Sequence, residues 1–195
     1  SVVEVEKLAL AEQNQLVTII LNKPVGIVSN LPEDGYQEAL DIIKGDNQFI
    51  QPGDKKFHFD FLKDLAAAGR LDIDSQGILV LTQDGRIARQ LVAQDSKLEK
   101  EYIVALRGEV TEKKLRTLRS GLRLDGRQLK PAQIKLIKEP YYQIILREGR
   151  KRQIRRMCEL VELEVFHLRR VRVGKIELGN LPLGHWRLLR ENESF

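Results

Sequence analysis

The stretch AAAGRLDIDSQGILVLTQDG, residues 66 to 85, sets Asp72 two residues after Arg70 and a few residues ahead of the unbroken apolar run Ile78-Leu79-Val80-Leu81. A carboxylate at the mouth of a buried strand can serve as a nucleophile or a base. It can equally be a turn residue, because Asp bonds its own backbone, with Arg70 an ordinary surface charge. Asp74 would share a face with Asp72 if the segment is extended, yet spacing alone does not establish an acid and base pair.

Other chemistries find little support. His58, His167 and His185 are scattered and Cys158 is the single cysteine, so neither a zinc site nor an internal disulfide is expected. A lone cysteine fits a reducing compartment, and the expected location is the cytoplasm. The sequence contains no G-x-x-x-x-G-K-[ST], no G-x-G-x-x-G and no G-x-S-x-G. An enzyme built from it is expected to work with side chains alone, without metal or cofactor. No apolar stretch is long enough for a membrane helix, and the start SVVEVEKLAL lacks the pattern of a signal peptide.

The net charge of +5 is modest but localised. Residues 147–195 carry 12 Lys and Arg against 7 Asp and Glu, which accounts for the whole excess. Arginine dominates there, in REGRKRQIRRMC and HLRRVRVGK. Its planar multi-donor head suits phosphates and base edges. Such clustering is the footprint of a nucleic-acid binder, although a solvated helix face looks similar.

The elements that must position these residues can be read from periodicity. QLVTIILNKPVG reads as a strand that breaks at Pro24, with Lys23 at its exit. Residues 45 to 58 read as a loop, and FDFLKDLAAAG as a short helix ending at Gly69. RIARQLVA resumes helical spacing after Asp84-Gly85. KEYIVAL places Tyr102, Val104 and Leu106 on one side of a strand. TEKKLRTLRSG has a Thr111 cap and a Gly121 stop, hence a helix. PAQIKLIKE and YYQIILRE read as strands joined near Glu139-Pro140, and EVFHLRRVRVGKIEL and HWRLL as extended segments.

Between them, RKRQIRRMCELV places Ile154, Met157, Cys158 and Val161 on one helix face. Arg152 and Arg156 fall nearly opposite that face, and Arg155 lies roughly 110° from its centre, able to point toward a cleft. Strands outnumber helices and are joined by short turns, which predicts an α+β fold with a largely antiparallel sheet. At 195 residues the chain is expected to form one domain over 1–195, or two lobes sharing one sheet.

Taken in order, GRLD with DSQGILVLTQDG, then KEYIV, EGRKRQIRRMC and HLRRVRVG, resemble the bacterial ribosomal RNA pseudouridine synthases that modify single uridines. The resemblance runs from about Val17 to Leu189. LNKPVGIVS and LPLGHWRLL look most like the enzymes of the large subunit. It implies the pseudouridine synthase fold, a mixed sheet flanked by helices with a central active-site cleft. It casts Asp72 as nucleophile and Arg70 as the residue that fills the stack when the base is flipped out. Tyr102 becomes the ring that stacks on the uracil, Arg155 the partner of Asp72, and Leu168 the apolar residue under the site. Lys23 matches the family's KP element. Most of these enzymes begin with a small RNA-binding domain of the S4 type, and the residues before Val17 are too few to hold one, so its absence is expected.

What the resemblance implies is chemically coherent. Pseudouridine formation breaks the bond from ribose C1′ to uracil N1, turns the base and joins C1′ to C5. One carboxylate can supply the step, by attacking C1′ or by taking the 2′ proton to give a glycal. An ionised carboxylate in a dry pocket needs a partner charge, the role given to Arg155. Arg150, Lys151, Arg152 and Arg156 are expected to contact phosphates. The expected partner is ribosomal RNA or a ribosome assembly intermediate, with the protein a monomer. Two rivals share the pattern: a pseudouridine synthase for transfer RNA, and a non-catalytic RNA-binding module on the same fold.

Overall fold

The computed structural model describes residues 1–13, 15–32 and 35–195, with the side chains of residues 12 and 13 left aside. In chain order the elements are α1 (Val2–Gln13), β1 (Thr18–Lys23), β2 (Ile27–Val28), β3 (Gln37–Glu38), β4 (Ala66–Ala67), β5 (Gln76–Thr82), α2 (Gly85–Val92) and β6 (Lys100–Arg107). There follow α3 (Glu112–Arg119), β7 (Arg123–Leu124), β8 (Arg127–Gln128), β9 (Gln133–Lys138), β10 (Tyr141–Leu146), α4 (Gln153–Glu159), β11 (Glu164–Val173), β12 (Ile176–Glu177) and β13 (Trp186–Leu188).

A nine-stranded sheet organises the molecule in the order β13-β1-β5-β11-β6-β10-β9, with β4 also on β5 and β12 also on β11. Among the described residues its pairings are antiparallel except one, β5 with β11, where Arg169 faces Gln76 and Arg170 faces Gly77. The fold is therefore α+β with a largely antiparallel mixed sheet, as the alternation of short strands and turns predicts.

The unbroken run in β5 has a simple origin. Leu79 and Leu81 enter one apolar cluster with Ile19, Leu21, Tyr102 and Val104, whereas Ile78 and Val80 enter a second with Ile20 and Val173. The two clusters share strands β1 and β5 but take alternate residues from them, so both faces of the centre are covered and neither strand can carry polar alternation. Lys23, at the end of β1, is consequently fully buried.

The helices follow their sequence signals. Thr111 caps α3 by accepting from the Lys114 amide, and Leu115 and Leu118 are buried beneath it. Such a cap contributes about 1 kcal/mol. Ile154, Met157 and Cys158 are buried along one side of α4, as their spacing predicts, whereas Val161, also buried, lies in the turn after the helix.

The expectation of a helix over FDFLKDLAAAG is corrected. Phe59–Leu62 form a single 3-10 turn, Asp64 takes a left-handed φ of 54°, and Ala66–Ala67 pair antiparallel with Thr82 and Leu81. A left-handed residue cannot continue a helix, and the β5 edge offers the alanines ladder bonds that an isolated helix turn lacks. An element without a sequence reading is α1, whose described side chains are exposed throughout. Among the described residues no helix is long and apolar enough to cross a membrane.

Candidate active site

The segment between β4 and β5 carries the functional candidates and is pinned from both sides. Leu71, buried, donates its amide to Ser29 Oγ at 2.9 Å and accepts from the same hydroxyl at 2.7 Å. The Gly26 amide donates to the Ile73 carbonyl at 2.8 Å, and the Ser75 amide closes a turn onto the Asp72 carbonyl at 3.0 Å. The loop is a fixed platform, with Leu71 turned into the core, Arg70 exposed and Asp72 half-buried.

Asp72 faces a cleft of about 580 Å³ that is also lined by Arg70, Tyr102, Arg155 and Leu168. The volume lies in the range of sites that enclose a small ligand. Five residues from four separated parts of the sequence thus share one concavity. Tyr102 stands on β6 with Ile144 on one side of it in the ladder and Arg170 on the other. Leu168, on β11, lies opposite Val104. Tyr102 and Leu168 are 8% and 5% exposed, so what they present to the cleft is a narrow apolar surface.

Arg155 is buried and points toward the cleft from α4, as its flanking position on the helix predicts, but its ionic partner is Asp74 rather than Asp72. Arg155 Nε approaches an Asp74 carboxylate oxygen at 3.4 Å without hydrogen-bond geometry. Its other nitrogens donate to the Val165 and Asp74 carbonyls, both at 3.0 Å, and to Ser75 Oγ at 3.2 Å. Arg152 completes the arrangement with two parallel bonds of 2.9 Å to the Asp74 carboxylate. The hydrogen bond from Arg152 chiefly, and the charge of Arg155, hold the Asp74 carboxyl below the usual range. Asp74 is therefore an anchor that ties the Asp72 loop to α4. Asp72 has no ion pair within 4.0 Å among the described residues.

Lys23 does not line the cleft. It lies under the loop, donating to the Pro24 and Ile27 carbonyls at 2.8 and 2.7 Å. Burial pushes its ammonium down to about 8, against the pull of Asp72 and Asp74. Arg150, Lys151 and Arg152 line one wall of the cleft, whereas Arg156 turns away and clasps Asp125 at 2.9 Å. Sequence reasoning missed Ser29 and also Arg170, which is 6% exposed and donates to the carbonyls of Ile78 and Arg70. Arg170 stood in the quoted HLRR motif, but nothing in the spacing shows that its guanidinium reaches across the sheet seam to the Arg70 loop. Among the described residues no cluster of three or more His, Cys, Asp or Glu could hold a metal ion.

The cleft thus gathers one carboxylate on a pinned loop, a tyrosine ring, a leucine side chain and several arginines. Residues 17–160 match the family model of RNA pseudouridylate synthase, and the chain belongs to that family. It is 36% identical over 182 residues to the dual-specificity RNA pseudouridine synthase RluF of Escherichia coli K12, covering 93% of this chain and 57% of that protein. The ribosomal large subunit pseudouridine synthase B of Bacillus subtilis 168 is 32% identical over 189 residues, covering 93% of this chain and 71% of that one. This chain thus spans little more than half the length of the RluF relatives. A crystal structure of pseudouridylate synthase superposes with a TM-score of 0.77 at 27% identity, covering 91% of this chain and 71% of that one. The archaeal box H/ACA Nop10–Cbf5 complex, at 20% identity and a TM-score of 0.53, shares the fold.

Proposed function

We propose that this protein converts a uridine of ribosomal RNA, in the large subunit, to pseudouridine, with Asp72 as the reacting group. The observation that carries the reading is the unpaired Asp72 carboxylate facing the cleft together with Tyr102, Leu168 and Arg70. The target nucleotide is flipped out of its helix, at a cost of a few kcal/mol that binding offsets, and exposed Arg70 fills the vacated stack. Asp72 breaks the C1′–N1 bond by attack on C1′ or by removal of the 2′ proton. The uracil turns against Tyr102 over Leu168, and C5 joins C1′. The reaction is an isomerisation with no net change of oxidation state, so the side chains suffice.

Arg150, Lys151, Arg152 and Arg156 contact phosphates, Arg156 after releasing Asp125 and Arg152 while keeping Asp74. The protein acts as a monomer in the cytoplasm on ribosomal RNA or an assembly intermediate. Tritium release from 5-tritiated uridine in ribosomal RNA tests the reading, since C5 loses its hydrogen only when the new bond forms. Release from ribosomal RNA and none from transfer RNA is the expected result. Release from transfer RNA alone would reassign the substrate, and binding without release from any RNA would reduce the protein to a binding module.

A further inference from the structure

The cleft holds a cation that the steps above leave unused. Lys100 opens β6, two residues before Tyr102 and so on the same face of the strand, and it lines the same cleft. Its ladder neighbours are Leu146 and Val173, both almost fully buried and both cleft-lining. The ammonium reaches the Gly149 backbone, where a Cβ would come 3.3 Å from Nζ. Half-buried there, it has no carboxylate within 4.0 Å and no hydrogen bond among the described residues. A desolvated ammonium without a partner is costly and is retained where a negative charge will meet it. Burial and the nearby Arg170 push its pKa below the ordinary lysine value, the signature of a charge held without compensation.

The other buried or half-buried cations of the cleft face carboxylates or backbone acceptors. Arg152 and Arg155 hold Asp74, Arg150 lies 3.8 Å from Glu148, and Arg170 holds two backbone carbonyls. Exposed Lys151 and Arg70 stand at the rim, where phosphates pass.

We propose that Lys100 is a catalytic residue that stabilises the uracil anion released when the C1′–N1 bond breaks, a role that rests on the isomerase reading above. When that bond breaks, its electron pair leaves with N1. In the attack route an Asp72 oxygen bonds to C1′, and in the glycal route Asp72 takes the 2′ proton. Either way one negative charge moves from the carboxylate into the base. Uracil turning against Tyr102 carries that charge toward Lys100, two residues or about 7 Å along the strand, a span the lysine stem covers. Bonding of C5 to C1′ then expels the Asp72 oxygen in the attack route, or goes with return of the proton from Asp72 to C2′ in the glycal route, so that Asp72 is again a carboxylate. The ring exchanges its C5 proton for one on N1, and Lys100 ends as it began. The interaction is absent with intact uridine and present once the bond is broken, so it favours the transition state over the ground state.

The test is single-turnover tritium release at saturating 5-tritiated ribosomal RNA, with RNA affinity and thermal unfolding measured on the same preparations. Lys100→Met should lose on the order of 100-fold in rate with affinity and unfolding little changed, and Lys100→Arg should recover most of the rate. Lys100→Gln serves in place of the Met variant should that one fail to fold. A wild-type rate in the neutral variants overturns the assignment. So does a loss confined to affinity with an unchanged saturated rate, which marks a phosphate contact. If the wild-type protein releases no tritium from any RNA, the isomerase reading itself falls, an outcome distinct from active Lys100 variants.

Discussion

Gly77 and Arg170 stand side by side at the parallel seam between β5 and β11, so close that a Cβ on Gly77 would lie 2.7 Å from the Arg170 amide nitrogen. Gly77 also has a φ of 108°, which side chains rarely adopt. The seam brings the Asp72 loop, just before β5, against the strand that carries Leu168. Gly77→Ala should therefore destabilise the fold by about 3 kcal/mol or more, read as a lower midpoint in urea. Ala at exposed Gly85, where nothing lies within 4 Å and φ is not positive, should be nearly neutral.

Asp72→Asn keeps size and hydrogen-bonding capacity and removes the nucleophile. Asp72 makes no ion pair within 4.0 Å among the described residues, so unfolding and RNA affinity should be almost unchanged. Tritium release should fall by at least about 1000-fold. Undiminished release from a folded Asn variant would remove Asp72 from the mechanism.

Arg155 and Arg156 are neighbours with opposite surroundings, and their alanine variants should differ accordingly. Arg155→Ala leaves the Val165 carbonyl and Ser75 Oγ without their donor and removes one of the two arginine ties between the Asp72 loop and α4, Arg152 keeping the other. It should cost about 2 to 3 kcal/mol and lower the saturated rate as well. Arg156→Ala removes an exposed pair with Asp125 and should cost below about 1 kcal/mol, with the saturated rate kept. Equal effects of the two changes on denaturation and turnover would contradict this division.

Binding should weaken linearly in logarithmic terms with salt, through counterion release. Lys151, exposed at the cleft and free of ion pairs among the described residues, should lower the salt slope by about 1 on substitution by Ala. Arg156→Ala should lower it less, because that guanidinium must first give up Asp125. An affinity flat between low and moderate salt would count against phosphate contacts altogether.

Lys23 links stability to alkaline pH. Its value in the folded chain, about 8, lies below the ordinary 10.5. Between these limits the unfolded chain binds more protons, so stability rises with pH, the gain complete above 10.5 and absent below about 8. The shift corresponds to about 3 kcal/mol. Denaturation of wild type and Lys23→Met across this range should show the Lys23 slope in the first and not in the second, so that the difference between them rises with pH.

What was legible in the sequence is what local pattern controls. The Thr111 cap, the apolar side of α4, the inward side of β6 and the double-sided burial of β5 all follow from residues within one or two turns of each other. The cleft membership of Asp72, Tyr102, Arg155 and Leu168 came through ordered motifs. The partner of Arg155 was not legible, because Asp72 and Asp74 differ by two residues and only the turn closed by Ser75 decides which carboxylate meets α4. Lys23 reads only as a lysine at a strand exit, and its burial arises once β5 pairs beside it and its ammonium turns onto the Pro24 and Ile27 carbonyls. The alanines before Gly69 carry helix propensity, and only the far end of β5, beyond its short pairing with β11, makes them a strand.

The bond from Arg170 to the Arg70 carbonyl spans 100 residues of sequence. During synthesis the Asp72 loop therefore leaves the ribosome long before Arg155, Arg170 and the basic quarter that follow it. Closing so long a loop is entropically slow, and β13, which pairs with β1, comes later still. The nascent chain cannot display a working cleft until its C-terminal quarter has emerged, so competence arrives in one late event. Pulse-labelled hydrogen exchange should find the β5–β11 seam protected late and the β1–β13 pairing last.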